Sequence, residues 1–334
     1  MRRNGRPRRH RSRADGRLHT GVVGVGYFGR FHAQKYAALE GSDLVAVVDV
    51  DPARARAAAR AHGVLAAVDY RQILDEIDVV SVVTPAVTHY PIARAFLENG
   101  VHVLVEKPIA ATLADASALV ALAAAKDVVL QVGHQEELFT RRHDLKALIE
   151  SPVEIVCRRT APFTGRGTDC SVVMDLMIHD LEFVQGFVSS PLSEVDGFGR
   201  PVHSGRADEA FVTLYYANGC MVRLTASRAS DERHRTARIT QADGVIEVDF
   251  LNHACRHSRS GPIAPCSPDS ERSGTDGNGL AADDDLGQAI AAFLEAVRRG
   301  TPPVVTGGDG LRALETALLI EDALEVRPRA APRG

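Results

Sequence analysis

The feature that most constrains this chain is a six-residue string, Gly24-Val25-Gly26-Tyr27-Phe28-Gly29, set between an apolar run and a helical stretch. Three glycines at this spacing do separate jobs. The first permits a tight turn, the second lets the backbone approach a pyrophosphate, and the third lets a helix pack close to a strand. The following helix presents free N–H groups to the phosphates. Alone the string is weak evidence, so its meaning rests on what surrounds it.

What surrounds it is a repeated alternation. Valine-rich apolar runs at 18–25, 44–49, 79–84, 101–106 and 128–134 alternate with alanine-rich stretches at 29–40, 51–62, 88–99 and 113–126. Runs apolar on both faces predict strands inside a parallel sheet, and the stretches between them predict crossover helices. Beyond 134 the texture changes to a helix near 142–150, a strand near 154–159, a helix over 172–188, and strand-like runs at 210–216, 220–227, 236–242 and 245–250. Asn218-Gly219 and Asp243-Gly244 fall between pairs of these runs as hairpin turns. Residues 252–285, crowded with Ser, Gly, Pro and Asp, predict a long flexible surface loop, and helices near 286–299 and 310–325 close the chain. The expected class is α/β. It comprises a basic, disordered tail over 1–17, a dinucleotide-binding domain over 18–137, and an α+β substrate-binding and oligomerisation domain over 138–328 with a mainly antiparallel sheet.

A length of 334 residues suits two domains, and 45% hydrophobic with 25% charged residues is the composition of an ordinary globular protein. A net charge of −4 gives no field to recruit nucleic acid or an anionic membrane. Eight arginines lie in the first 17 residues, without the aromatics of a folded nucleic-acid reader or the apolar stretch of a secretion signal. No run of apolar residues predicts a membrane span. Five cysteines without Cys-x-x-Cys spacing suit reduced thiols in a cytosolic compartment and argue against a disulfide framework. His253, Cys255, His257 and Cys266 lack the paired spacing of a zinc site, so no metal is expected.

The chemistry-bearing residues fall at strand ends. Asp49, twenty residues past Gly29, closes the second strand. A carboxylate there accepts from both ribose hydroxyls of NAD and repels the 2′-phosphate of NADP, so NAD is the expected cofactor. The alternative is that Asp49 only caps the helix beginning at Asp51-Pro52. Thr84 and Pro85 end another strand on the ligand-binding edge, where Pro85 also serves as a plain terminator. Glu106-Lys107-Pro108 carries Lys107 to the same edge, where an ammonium donates to a substrate hydroxyl and stabilises a developing alkoxide; a surface lysine ending a strand is the plainer reading. Asp175 and His179 lie four apart, on one face of a helix that Glu182 joins. His179 is suited to take a proton from a secondary alcohol, and Asp175 to orient it. A plain helix-stabilising pair is the alternative.

Together GVGYFG, the strand ending in Asp49, TPAVTHY, VEKP and the Asp175-to-His179 helix occur in an order that resembles the Gfo/Idh/MocA oxidoreductases. The resemblance implies a Rossmann domain followed by an open antiparallel sheet, which in that family often forms a homodimer interface, so a homo-oligomer (dimer or tetramer) is expected. It implies that Lys107, Asp175 and His179 are the catalytic lysine, aspartate and histidine. It also implies that Gly24, Gly26, Tyr27, Phe28, Gly29, Asp49, Thr84, Pro85, His89, Glu106 and Lys107 line the cofactor site. VGHQEELF, RTAPFTGRGTD and DLMIHDLEFV further resemble the subgroup containing UDP-N-acetylglucosamine 3-dehydrogenase, which acts ahead of transamination toward amide-linked lipid A. That implies a nucleotide-sugar substrate touched by His134, Gln135, Arg159, Arg166 or Thr168, although Glu137-Leu138-Phe139-Thr140 departs from the subgroup's Arg-Phe-Asn continuation. Three other functions fit parts of the same pattern: an inositol or aldose dehydrogenase, an NAD-dependent glycosidase, and a non-enzymatic NAD-binding regulator.

Overall fold

The computed structural model describes residues 16–165, 167–259, 264–266 and 284–326. Its strands and helices fall into two compact units. The first holds residues 16–135 and 284–311, and the second holds 136–259, 264–266 and 312–326. The basic tail through residue 15, Arg166, and most of the expected 252–285 loop lie outside the described residues.

In the first unit the chain runs β1 (Leu18–Val23), α1 (Gly29–Ala38), β2 (Ser42–Val48), α2 (Pro52–His62), β3 (Leu65–Ala67), β4 (Val79–Val82), α3 (His89–Glu98), β5 (His102–Val105), α4 (Leu113–Lys126) and β6 (Leu130–Val132). All six strands pair in parallel in the order β3-β2-β1-β4-β5-β6. The order reverses between β1 and β4, which opens a crevice at their carboxyl ends. Both faces of the sheet are covered, so β4 and β5 are buried at every position. Helix boundaries follow local chemistry. Thr112 caps α4 by accepting from the Asp115 N–H at 3.1 Å, and Asp51 caps α2 by accepting from Ala53 at 2.8 Å, with Pro52 at the first helical position.

The second unit follows with α5 (Glu136–Arg142), α6 (Leu145–Leu148), β7 (Glu154–Thr160), a π-helical turn over Val173–Met177 that leads into α7 (Ile178–Gln185), then β8 (Leu192–Arg200), β9 (Glu209–Tyr216), β10 (Met221–Ser227), β11 (His234–Gln241), β12 (Gly244–Asp249), β13 (Ala254–Arg259) and β14 (Ala264–Pro265). The chain then passes through α8 (Asp285–Arg299), α9 (Gly307–Ala323) and β15 (Glu325–Val326). Nine strands form one sheet ordered β14-β13-β12-β11-β7-β10-β9-β8-β15, antiparallel except for the β7–β10 and β8–β15 pairs. Gly219, at φ 85°, makes the β9–β10 hairpin where Asn-Gly called for it.

Three expectations need correction. First, α8 does not belong with the second unit. Its Ile290, Phe293, Leu294 and Val297, at helical spacing, join Tyr36, Val22, Val47 and Leu104 in the core of the first, and Asp284 pairs with Lys35 at 2.6 Å. Second, the 252–285 segment is not all loop, because β13 continues the sheet from β12 and β14 folds back on it. Third, that fold-back joins Cys255 and Cys266 in a disulfide. The reduced-thiol reading failed because a hairpin brings residues eleven apart face to face, with Cys266 N–H donating to the Cys255 carbonyl at 3.0 Å. Cys157, Cys170 and Cys220 take no part in a disulfide.

Candidate functional site

In the first unit the glycine string occupies the crevice at the β1/β4 reversal. Gly24 sits at φ 87°, and a Cβ there would lie 2.2 Å from the Val83 carbonyl oxygen. At Gly29 a Cβ would meet the Gly24 carbonyl at 1.8 Å. These two glycines are therefore demanded by the protein's own backbone. Gly26 is different: a Cβ there would meet nothing within 4 Å, so its absence leaves room for something outside the chain. The first turn of α1 has no side-chain cap, and its Arg30 and Phe31 N–H groups donate to the Gly26 and Phe28 carbonyls at 3.3 and 2.9 Å. Tyr27 and Phe28 are exposed beside it.

Asp49, 6% exposed, accepts from the Val25 N–H at 3.0 Å through Oδ2 and from the Asp51 N–H at 2.9 Å through Oδ1. Arg54 lies 3.1 Å from Oδ1. Since Asp51 caps α2, Asp49 is free of that duty, and its carboxylate ties the end of β2 to the glycine turn. These features, an open glycine face, an uncapped helix start and a carboxylate at the end of β2, fit a dinucleotide with NAD's unphosphorylated ribose.

The neighbouring strand ends are held by buried histidines. His89, 1% exposed, places Nε2 2.7 Å from the Thr84 carbonyl and Nδ1 2.8 Å from the Pro108 carbonyl, so it staples the end of β4 to the Lys107-Pro108 turn. Burial pushes its pKa down, with partial opposition from the two carbonyls and Glu106. Its ring is thus occupied inside the protein instead of lining an open surface. His32, fully buried on α1, lies 3.0 Å from Ser81 Oγ, which also meets the Tyr36 hydroxyl at 2.9 Å, and 3.3 Å from Glu106 Oε1. Gly133 makes room for Glu106, since a Cβ there would lie 2.4 Å from Oε1. Lys107 is partly buried and joined to Pro108 by a cis peptide. His134 is buried and Gln135 partly so.

In the second unit the helix carrying Asp175 and His179 is not uniform. Asp175 sits in the π-helical turn and His179 in the first turn of α7. Asp175 is partly exposed, with its Oδ2 4.0 Å from Arg228 Nη1. A Cβ on Gly167, at φ 66°, would lie 2.4 Å from that same oxygen. Arg228 donates to the Gly167 and Cys170 carbonyls and to Asp208 Oδ1 at 2.7 Å, which pins the loop that carries the exposed Thr168. Burial opposes ionisation of Asp208, but N–H donors from Val202, His203 and Ser204 together with Arg228 outweigh it and hold the carboxyl far below its usual range.

His179 has a partner that the spacing argument missed. Its Nδ1 lies 3.1 Å from Oε2 of Glu136, the first residue of α5. Arg159 departs from its expected place at a substrate. It is 3% exposed, and donates to Glu136 Oε1 at 2.9 Å and to Asp180 Oδ1 at 2.8 and 3.0 Å. Burial works against the guanidinium's charge, but Asp180 and Glu136 override it and raise its pKa further. Glu182, placed on the same helix face by spacing, is 7% exposed, so α7 offers only part of that face to solvent.

Comparison with known proteins assigns both halves of the chain. Residues 18–134 match the Gfo/Idh/MocA oxidoreductase family with its NAD-binding Rossmann fold, and residues 153–247 match the GFO/IDH/MocA C-terminal domain. A UDP-N-acetylglucosamine 3-dehydrogenase from Acidithiobacillus ferrooxidans is 36% identical over 310 residues, spanning 92% of this chain and 97% of its own.

The chain belongs to the Gfo/Idh/MocA oxidoreductase family. It is an enzyme, an NAD-dependent dehydrogenase. The solved structure of the Acidithiobacillus enzyme superposes with a TM-score of 0.84 at 34% identity, covering 92% of this chain and 98% of that one. A scyllo-inositol 2-dehydrogenase (NAD(+)) from Bacillus subtilis is 26% identical, covering 89% and 91% of the two chains. A scyllo-inositol dehydrogenase from Lactobacillus casei shares the fold, with a TM-score of 0.77 at 19% identity and coverage of 92% and 97%. Among the described residues no helix is long and apolar enough to cross a membrane.

Proposed function

We propose that this enzyme oxidises the 3-hydroxyl of UDP-N-acetylglucosamine to a ketone. The observation that carries the reading is the 36% identity, over nearly the whole of both chains, to a dehydrogenase named for that reaction. Bound NAD supplies the hydride acceptor. The Gly26 face and the start of α1 would receive the pyrophosphate, and Asp49 would accept from the adenosine ribose.

Lys107 donates from Nζ to the reacting hydroxyl and stabilises negative charge on that oxygen as the C–H bond breaks. His179 takes the hydroxyl proton at Nε2, the ring nitrogen opposite the one that faces Glu136. Asp175, one turn earlier, supplies negative charge that favours the protonated ring. Thr168 and Gln135 are candidates for sugar contacts, and Arg159 is not, because it is buried and its Nε and Nη2 donate to Glu136 and Asp180.

The test offers the purified protein NAD with UDP-N-acetylglucosamine, myo-inositol and free aldoses. NADH is expected with the nucleotide sugar, and Lys107→Ala or His179→Ala should each lower kcat by roughly 10²- to 10⁴-fold. Turnover of inositol alone would replace the reading with a polyol dehydrogenase. Sugar release without NADH would point to a glycosidase.

A further inference from the structure

We infer that Glu136 is the residue that positions His179 for proton transfer, and that Arg159 and Asp180 hold Glu136 in place. The inference deepens the reading above and rests on it for the role of His179 as proton acceptor. Four side chains are linked in series. His179 Nδ1 meets Glu136 Oε2 at 3.1 Å, Glu136 Oε1 meets Arg159 Nη2 at 2.9 Å, Arg159 Nε meets Asp180 Oδ1 at 3.0 Å, and Asp180 follows His179 in the chain. Three of the four, Glu136, Arg159 and Asp180, are less than a tenth exposed, while His179 keeps 19% of its side chain open.

The geometry dictates a tautomer. An ionised carboxylate only accepts, so the nitrogen facing Glu136 must carry the hydrogen. That leaves Nε2 bare, which is the form needed to remove a proton from an alcohol. Both Glu136 oxygens are engaged, one by His179 and one by Arg159, so the carboxylate cannot rotate without giving up a contact. Arg159 is itself fixed by Asp180 from the helix that carries His179, and Arg235 of β11 adds positive charge toward Glu136 and Asp180.

During oxidation the substrate O–H bond breaks and its proton goes to His179 Nε2. A C=O bond forms, the C–H electron pair would pass as hydride to NAD held by the glycine turn, and Nδ1–H keeps its hydrogen bond to Glu136 throughout. The charge that develops on the ring is met by a carboxylate already aimed at it. Asp175 sits elsewhere, in the π-helical turn near Gly167 and Arg228, so the two acidic residues have separable duties.

The decisive experiment reads the His179 tautomer directly, by ¹H–¹⁵N NMR of the full-length enzyme labelled at histidine nitrogens, with the His179 signals assigned by their loss in His179→Gln. The wild type should show Nδ1–H. In Glu136→Gln, whose amide can donate to Nδ1, the Nε2–H form should rise. In turnover, Glu136→Gln should lose roughly 100-fold or more in kcat, with the sugar KM and the NAD Kd within about threefold of wild type. Asp180→Asn, which removes a support but not the contact, should lose less than about tenfold in kcat.

An Nε2–H tautomer in the wild type overturns the inference, and so does a Glu136→Gln enzyme with unchanged tautomer and kcat. Equal kcat losses in Glu136→Gln and Asp180→Asn, tracking equal losses of stability, would assign Glu136 a packing role instead. The NMR arm needs no turnover. A wild type that ignores UDP-N-acetylglucosamine yet shows Nδ1–H counts against the substrate and not against Glu136, and a Glu136→Gln chain that does not fold leaves the wild-type spectrum to decide.

Discussion

Gly24 and Gly26 separate folding from cofactor binding, and their alanine variants should behave differently. Gly24→Ala places a methyl group 2.2 Å from the Val83 carbonyl, on backbone at φ 87°. Neither neighbour yields easily, because Gly24 N–H donates to Val48 and Val83 N–H to Val23, both at 2.8 Å. Left-handed backbone costs about 1–2 kcal/mol for an alanine and overpacking about 1–3 more, so the variant should lose roughly 2–5 kcal/mol of stability. Gly26→Ala meets nothing within 4 Å and has no positive φ. Its stability should match or exceed that of the wild type by up to about 1 kcal/mol. Its methyl group nonetheless stands where the pyrophosphate must approach. Loss of one charge-assisted hydrogen bond, about 1.5–3 kcal/mol, raises the NAD Kd roughly 10- to 150-fold. Thermal melting and isothermal titration with NAD measure the two quantities. A Gly26→Ala enzyme that binds NAD as tightly as wild type would refute the assignment of that open face to the cofactor, and a Gly24→Ala enzyme that melts like wild type would refute the steric account.

Three further expectations follow from the second unit. Arg159→Met leaves Glu136 and Asp180 buried without their counter-charge and should cost about 3–5 kcal/mol in chemical denaturation; an unchanged midpoint would contradict the buried-cluster reading. His143, buried beneath Phe139, is held down to about 4 by burial, Arg142 and His253. Because its folded value lies below the ordinary 6.5, the unfolded chain takes up the proton first as pH falls. The stability it contributes is complete above about pH 6.5 and lost progressively toward pH 4, by about 3 kcal/mol. His143→Gln should flatten that part of the pH–stability curve, and an unaltered slope would exclude His143 as its source. Thiol titration of the denatured, unreduced protein should count three groups, Cys157, Cys170 and Cys220, whereas five would contradict the Cys255–Cys266 bond.

Much of the fold was legible because local and global signals agreed. Helix α4 was readable to the residue, since Thr112 and Asp115 cap its start and Asp127, at φ 53°, closes it. The valine-rich strands announced burial on both faces. Strand β8 stayed hidden because its residues, including Gly197 and Gly199, look like turn formers. Gly197 is instead required by contact, since a Cβ there would lie 2.6 Å from the Phe211 carbonyl. The amphipathic face of α8 was visible, but periodicity shows only that a face is buried and not which core receives it.

The site divided along the same line. The glycine string and Asp49 could be read because their chemistry is local to one strand-turn-helix unit. Glu136 could not, because its partner lies 43 residues away in sequence and only the folded chain brings them together. Arg159 did carry a signal. The two-residue alternation of β7 puts it on the same buried face as Ile155 and Cys157, and an arginine on such a face demands acidic partners more than it offers a substrate contact.

The most direct test of the central claim follows one hydrogen. With UDP-N-acetylglucosamine carrying deuterium at sugar C3, together with NAD and the purified enzyme, mass spectrometry should find the deuterium in NADH and a ketone on the sugar. NADH that forms without deuterium would show oxidation at another carbon, and no NADH at all with this sugar would contradict the assignment of the substrate.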